Sequence, residues 1–438
     1  MREVSALLKE LKARGLIADV THAEELERHL AASSRTLYCG FDPTADSLHV
    51  GSLLPLLALR RFQLAGHRPI VLIGGGTGLI GDPSGKASER ALNPEEQVAA
   101  WSARLKQQVG RFLDFDTGRA PASLLDNYEW LSKLTVISFL RDVGKEFGIG
   151  AMIAKESVRS RMGRAEGGLS YTEFSYQILQ AYDFLTLYRD HGCTLQLGGS
   201  DQWGNITAGI ELIRRKAGGA AYGLTLPLVT RADGSKFGKT ESGTIWLDAD
   251  KTSPYEMYQF WLNTPDADVG AYLKYFTFLP LEAIDELAAM TKRAPEKREA
   301  QRVLAAEATA LVHGRAAREE AERITTALFT GDLKSLTPEQ AAQATRAMPR
   351  LDLALGSATL PITELLTKAG LAESKKRARE LVTAGAIQIN GEKVTSPDAG
   401  VSRDTALFGR YVILRKGRKT YHAVILDAPT ASSSGRPE

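Results

Sequence analysis

Cysteine is nearly absent: Cys39 and Cys193 are the only 2 in 438 residues. They stand far apart, with neither the clustered spacing of a zinc site nor the density of a disulfide scaffold, so we expect a reducing, cytoplasmic setting and no structural metal. Long apolar runs are missing too. No stretch reaches the roughly 18 residues that a membrane-spanning helix needs, and none is expected. The opening residues, MREVSALLKELKARG, mix charge with apolar positions at Val4, Leu7, Leu8 and Leu11. That spacing reads as a surface helix and not as a signal peptide. Charge of one sign is also scarce. A net +3 is too small to mark the whole chain as a nucleic-acid binder, so any basic patch has to be local.

What is present is an ordinary globular composition, 43% hydrophobic and 24% charged, in a chain long enough for two or three domains. From Thr36 to about Val229, short apolar runs (TLYCGF, PIVLIGG, LTLPLVT) alternate with longer helical stretches such as LLPLLALRRFQLAG. This rhythm predicts an α/β domain over 1–229, a mostly parallel, Rossmann-like sheet wrapped by helices. Ligands of such sheets sit beyond the carboxyl ends of the strands, here in the loops after Phe41, Ile73 and Leu197. Residues 230–345 then read as a lysine-bearing loop followed by an α-helical domain, with EKREAQRVLAAEATALVHG its clearest helix. Periodicity fades over 346–361, which we read as a linker. A small α+β unit follows over 362–427, and APTASSSGRPE, 428–438, reads as a disordered tail.

In that unit two short helices end at Gly370 and Gly385, the expected left-handed stop residues, and the strand AIQIN turns at Asn390 and Gly391, a favoured hairpin pair. Lys375 and Lys376 follow a capping Ser374, which sets cations at the positive end of a helix dipole. A docked phosphate would reverse the sign of that cost. Arg377, Arg379, Arg415, Lys416, Arg418 and Lys419 extend the patch. A solvated charge run is the plainer reading of these residues alone.

Two segments carry chemistry. TLYCGFDPTADSLHVGS is a strand, a turn-rich loop and a helix start, and His49 and Ser52 lie three apart, able to face one ligand at that terminus. Pro55 is expected in the first turn, where a missing N–H is tolerated. ADGSKFGKTES is a glycine-containing loop whose Lys236 and Lys239 suit a clamp over polyphosphate. Either segment alone fits a bland reading, a structural histidine or a solvated loop. Gly76, Gly78 and Gly81 form a GxGxxG, but DPSGKASER follows, with no strand ending in an acid at the right distance, so a dinucleotide site does not fit.

Taken together, HVGS, KFGKT, YCGFDPTADSLH, GLIGDPSGK, FSYQILQAYDF and LGGSDQWGNITAG resemble the bacterial-type tyrosyl-tRNA synthetases, a family of class I aminoacyl-tRNA synthetases. HVGS stands for the HIGH-type signature and KFGKT for the KMSKS-type one, and the resemblance runs along essentially the whole chain. The 362–427 unit resembles the S4 RNA-binding domain, which turns the basic patch towards RNA. The helical domain then lies on the anticodon side, and the stretch 130–162 resembles the family's connective region, which implies a homodimer.

The resemblance implies substrates and roles. L-tyrosine, ATP with Mg2+ and tRNA(Tyr) are the expected partners, with no tightly bound cofactor. Tyr176, Gln180 and Asp82 would meet the tyrosine ammonium, Asp183 and Tyr38 its phenol hydroxyl, and Gln202 its activated carboxylate. Thr44 and His49 would meet the terminal phosphate, and Lys86, Arg90, Lys236, Lys239 and Thr240 the pyrophosphate. Cys39, Gly40, Asp42, Gly199 and Asp201 would hold the rest of the nucleotide. Tyr176, Gln180 and Asp183 fall on one helix face, and a polar stripe in so apolar a helix needs a partner. Ser52 departs from the second histidine of HIGH, and Phe237, Gly238 and Thr240 from the letters of KMSKS, while both lysines are kept. A non-catalytic RNA-binding protein on a synthetase fold is the rival reading.

Overall fold

The computed structural model describes residues 2–84, 92–116, 118–155, 158–159, 169–234, 237–240, 243–355, 358–417 and 420–426. Lys86, Arg90, Lys236, Arg418, Lys419 and the 428–438 tail lie outside the described residues. The chain forms two compact units, Met1–Lys251 with Thr264–Leu304, and Thr252–Asn263 with Ala305–Glu438. Among the described residues no helix is long and apolar enough to cross a membrane.

The first unit is built on a six-stranded sheet of β1 (Asp19–Val20), β2 (Thr36–Phe41), β3 (Arg68–Ile73), β4 (Ser123–Asp126), β5 (Cys193–Gly199) and β6 (Tyr222–Leu226), in the order β1-β6-β5-β2-β3-β4. The parallel ladder from β6 to β4 is the α/β sheet anticipated from the sequence. β1 adds an antiparallel edge through Asp19 and Val20, too short to carry a pattern. The chain winds outward from β2 through β3 to β4, then returns to the other side of β2 for β5, which makes β2/β5 the topological switch point. β2, TLYCGF, is buried on both faces except at Gly40, as expected of a central parallel strand.

Three helices place side chains at this switch point. Val50–Leu64 starts at His49, whose ring accepts the Gly51 N–H as an N-cap. Pro55 lies inside this helix, one turn past its start, which corrects its expected first-turn place. Its ring nitrogen takes away the donor that would have met the Gly51 carbonyl. Tyr171–His191 is capped by Ser170, accepting from Glu173 N, and stops at left-handed Gly192. Trp203–Ala217 follows the turn after β5 and packs on Tyr171–His191. β7 (Lys239–Thr240), the last two residues of KFGKT, pairs antiparallel with β8 (Gly243–Thr244).

The second unit opens with helix Pro254–Leu262, closed by a Ser253/Glu256 capping box, and Gln259 donates to Thr325 of helix Arg315–Thr330 at 2.8 Å. Helix Pro338–Arg346 follows, with a Thr337/Gln340 capping box. A mixed sheet then contains β9 (Arg350–Leu353), β11 (Ile387–Ile389), β12 (Glu392–Val394), β14 (Tyr411–Lys416) and β15 (Thr420–Leu426), in the order β12-β11-β14-β15-β9, while β10 (Leu360–Pro361) pairs with β13 (Gly400–Val401). The β11–β12 hairpin turns at Asn390 and Gly391, with φ of 49° and 85°, as the dipeptide predicts. A Cβ on Gly391 would fall 1.8 Å from the Gly331 carbonyl oxygen, so glycine is required there twice over.

Two sequence expectations are corrected. The segment 346–361 is not a linker: β9 within it pairs in parallel with β15, and Leu351 and Leu353 pack on the core of this unit. Four residues reading R-L-D-L are too brief for periodicity to show. Nor does 230–345 form a body of its own, because Asp266–Phe276 and Leu281–Arg293 belong to the first unit and Arg315–Thr330 to the second. Amphipathic spacing says that a helix has an apolar face, not which body covers it.

Candidate active site

A cavity of about 620 Å³ opens at the carboxyl ends of β2, β3 and β5, where the switch point calls for a ligand. Its lining brings together Tyr38, Cys39, Gly40, Asp42, Thr44, His49, Ser52, Asp82, Tyr176, Gln180, Asp183, Gly199, Asp201 and Gln202, residues spread over more than a third of the chain. Lys239 and Thr240 have their backbone in β7.

Two buried polar groups sit in the depth of this cavity. Asp183 is 2% exposed and is pushed up to about 7 by burial, against the opposing pull of hydrogen bonds from Asn127 and Trp130. Asn127 Nδ2 donates to its Oδ2 at 2.9 Å and Trp130 Nε1 to its Oδ1 at 2.7 Å. Tyr38, 1% exposed, has a hydroxyl without a hydrogen-bond partner among the described residues, and burial together with the Asp183 charge drives its ionisation far up. An orphaned buried hydroxyl beside a carboxylate is a costly arrangement that a polar ligand would relieve. Phe184 packs on the Tyr38 ring, 5.3 Å between centroids.

A chain of side chains runs from Asp183 towards the cavity mouth. Asn127 also donates to Thr77 Oγ1 at 2.9 Å, its own orientation fixed because Oδ1 accepts the Gly76 N–H at 2.8 Å. Thr77 donates to Asp42 Oδ1 at 2.7 Å, and Tyr176 donates to Asp42 Oδ2 at 2.6 Å. Asp42 can approach so closely because residue 74 is glycine, where a Cβ would fall 1.9 Å from Oδ1. Thus the GxGxxG run leads into the Thr77–Leu79 turn, with Gly76 against Asn127 and Leu131 and Gly78 against Pro43; among the described residues it opens no dinucleotide-binding helix.

A second polar group is linked around Gln202. It donates to Asp82 Oδ2 at 2.7 Å, and Asn205 donates to both Gln202 Oε1 at 3.1 Å and Gln180 Oε1 at 3.0 Å. Ser84 N donates to Asp82 Oδ1 at 2.9 Å. Asp82, Tyr176 and Gln180 all line the cavity and offer it a carboxylate, a phenol oxygen and an amide oxygen. Such a set suits an ammonium group.

At the mouth, His49 Nδ1 accepts from Gly51 N at 3.0 Å, which leaves the proton of the neutral ring on Nε2. Phe237 of KFGKT lines the cavity and stacks on Phe276, 5.2 Å and 11° between rings. Thr77, Asn127, Trp130 and Asn205 were not singled out from the sequence. For the first three the partners lie many residues away, so no local pattern carries them, whereas Asn205 meets Gln202 only three residues before it; the shared face of Tyr176, Gln180 and Asp183 pointed to a polar site on that helix.

The basic residues of the second unit divide. Lys375, Lys376, Arg377 and Arg379 are exposed on helix Lys375–Thr383, whose N-cap Ser374 accepts from Arg377 N. Lys375 pairs with Glu364 at 3.3 Å and Arg377 with Glu380 at 2.8 Å, which offsets part of the dipole cost. Arg415 lies over the Tyr421 ring at 5.3 Å, while Lys416 donates to the Leu371 carbonyl at 2.8 Å and braces the unit.

Residues 31–330 match the family of tRNA synthetases class I (W and Y), to which the chain belongs. Within it the chain falls in the tyrosine–tRNA ligase family: residues 340–424 match the tyrosine–tRNA ligase SYY-like C-terminal domain. It is 57% identical over 419 residues to the tyrosine–tRNA ligase of Geobacillus kaustophilus, covering 95% of this chain and 99% of the relative. A C-terminally truncated mitochondrial tyrosyl-tRNA synthetase from Aspergillus nidulans shares the fold with a TM-score of 0.67 and 32% identity, over 74% of this chain and 94% of that one. A tryptophanyl-tRNA synthetase from Encephalitozoon cuniculi, bound to tryptophan, matches with a TM-score of 0.53 at 13% identity, over 74% and 92%. The fold is thus common to both amino acids, and the side chains of the cavity have to make the choice.

Proposed function

We propose that this chain activates L-tyrosine with ATP and transfers it to the 3′ end of tRNA(Tyr). The observation that carries the choice of amino acid is the pair at the cavity floor, the unpartnered Tyr38 hydroxyl beside the buried Asp183 carboxylate. A substrate phenol donates its proton to Asp183 and accepts from Tyr38, whereas phenylalanine leaves both unsatisfied. Asp82, Tyr176 and Gln180 take the ammonium, with Asp42 holding the Tyr176 hydroxyl in place.

The tyrosine carboxylate, turned by Gln202, attacks the α-phosphorus of ATP. A carboxylate oxygen to phosphorus bond forms as the bond to pyrophosphate breaks, giving tyrosyl-adenylate. No side-chain nucleophile or general base enters this step, so rate comes from alignment and from stabilising charge on the leaving group. Cys39, Gly40, Gly199 and Asp201 hold the nucleoside, and Thr44, His49 and Ser52 face the phosphates. Lys86, Arg90, Lys236, Lys239 and Thr240 complete the pyrophosphate site by resemblance. Magnesium arrives as part of the nucleotide, carried by its phosphate oxygens. A terminal ribose hydroxyl of the tRNA then attacks the adenylate carbonyl and releases AMP.

Lys375, Lys376, Arg377 and Arg379 form the exposed basic face offered to the tRNA, and Arg415, Lys416, Arg418 and Lys419 are assigned to the same patch from the sequence alone. Exposed Val136, Ile137, Leu140 and Ile149 favour a homodimer formed through this stretch. The buried free thiols Cys39 and Cys193 accord with a cytoplasmic setting. Replacing Asp183 by Ala tests the central assignment: activity and preference over phenylalanine should fall together, and an unchanged preference would show the assignment to be wrong.

A further inference from the structure

His49 is held by a second segment that none of the signature residues includes. Val50 N donates to Ile245 O at 2.9 Å and Leu247 N to Leu48 O at 2.8 Å, so His49 and Trp246 face each other as an antiparallel bridge. Ile245 and Leu247, 6% and 2% exposed, anchor this ladder from below. The Trp246 indole meets the His49 ring edge-on, 6.5 Å between centroids at 65°. Lys251 Nζ lies 4.9 Å from the indole centroid and also pairs with Asp46, which in turn meets Arg104 at 3.0 Å. Gln108 accepts the Leu48 N–H at 2.9 Å and fixes the strand from the other side.

The ring orientation matters because His49 works as an N-cap. Its Nδ1 is occupied by Gly51 N, and rotation about the side chain would free that amide and re-aim Nε2–H of a residue that lines the cavity. Within HVGS the ring is held by the Gly51 N–H. The edge of Trp246 adds a contact from outside the segment, and Lys251 lies above the indole.

We infer that Trp246, clamped by Lys251, is a positioning residue that fixes the His49 ring and the first turn of helix Val50–Leu64 for the phosphates of ATP. This rests on the tyrosine-activating reading of the cavity. A residue that merely stabilises the fold would weaken tyrosine binding and ATP turnover alike, and would act regardless of what stands at position 49.

The test uses the full chain with Trp246→Ala, Trp246→Phe and Lys251→Met, each also combined with His49→Ala, in tyrosine-dependent exchange of pyrophosphate into ATP. Trp246→Ala should lower kcat/KM for ATP about tenfold with tyrosine affinity, from equilibrium dialysis, kept within about twofold. Trp246→Phe should recover to within about threefold of wild type, and Lys251→Met should lose about threefold. In the His49→Ala background the Trp246→Ala loss should shrink to under about twofold, the signature of an effect transmitted through the imidazole. Equal losses in both backgrounds, or a matching loss of tyrosine affinity, would overturn the inference. A wild-type chain without exchange would instead sink the activation reading on which it stands.

Discussion

Trp130 donates its indole N–H to Asp183 at 2.7 Å, and this bond keeps a fully buried carboxylate charged enough to accept from a substrate. Removing it leaves Asn127 as the other donor that the structure gives to this carboxylate. We predict that Trp130→Phe, which preserves the ring, raises the Asp183 ionisation further and weakens tyrosine binding at neutral pH by about 10- to 100-fold, the worth of one hydrogen bond to a charged group. Phenylalanine, which makes no bond to the carboxylate, should bind as before. Calorimetric titration of both amino acids checks this, and equal weakening of the two would contradict it.

The same carboxylate sets a pH dependence. With Asp183 at about 7 in the empty site, the form that accepts the phenol proton is lost as pH falls through neutrality. Tyrosine affinity is expected to be flat at alkaline pH up to the onset of amino-group titration and to weaken by about tenfold per unit below pH 7. Bound tyrosine lowers the value, so the midpoint in the complex should lie on the acid side of that in the free protein. A flat affinity between pH 5.5 and 8 would contradict the assignment.

Asp183 also costs stability. Its folded value lies above the ordinary 3.8, so between those values the folded state holds a proton that the unfolded state has released. Stability therefore falls as pH rises through this window, by about 4 kcal/mol in all. Asp183→Asn removes that penalty but supplies one acceptor for two donors, which returns about 1–2 kcal/mol. The variant should be about 2 kcal/mol more stable than wild type at pH 8, with no gain at pH 4, in urea unfolding of the ligand-free chain. Equal gains at both pH values would contradict this.

Much of this arrangement could be anticipated from the residues. The parallel sheet followed from alternating apolar runs and helices, the Asn390–Gly391 turn from its dipeptide, and the polar face of the Tyr171–His191 helix from its spacing. What could not be read is what depends on distant partners. Asn127 and Trp130 gain their meaning from Asp183, more than fifty residues on, and Trp246 from His49. β9 was missed for a related reason, since Leu351 and Leu353 look like any loop residues until β15 is beside them.

That strand gives a prediction for the second unit. Leu353→Asp puts a charge against the cluster around Leu365 and Val424 and should destabilise the module by about 2–4 kcal/mol. Aminoacylation of tRNA should drop while tyrosine-dependent pyrophosphate exchange stays close to wild type. Equal damage to both steps would contradict a division of labour between the two units.

The most direct test of the whole account is that exchange reaction run on the purified full chain with magnesium, ATP and labelled pyrophosphate, offered tyrosine, phenylalanine or tryptophan in turn. The account predicts exchange with tyrosine and a preference over phenylalanine of the order of 10⁵, the figure associated with this family, with tryptophan inert. No exchange with tyrosine, or exchange driven by tryptophan, would contradict it.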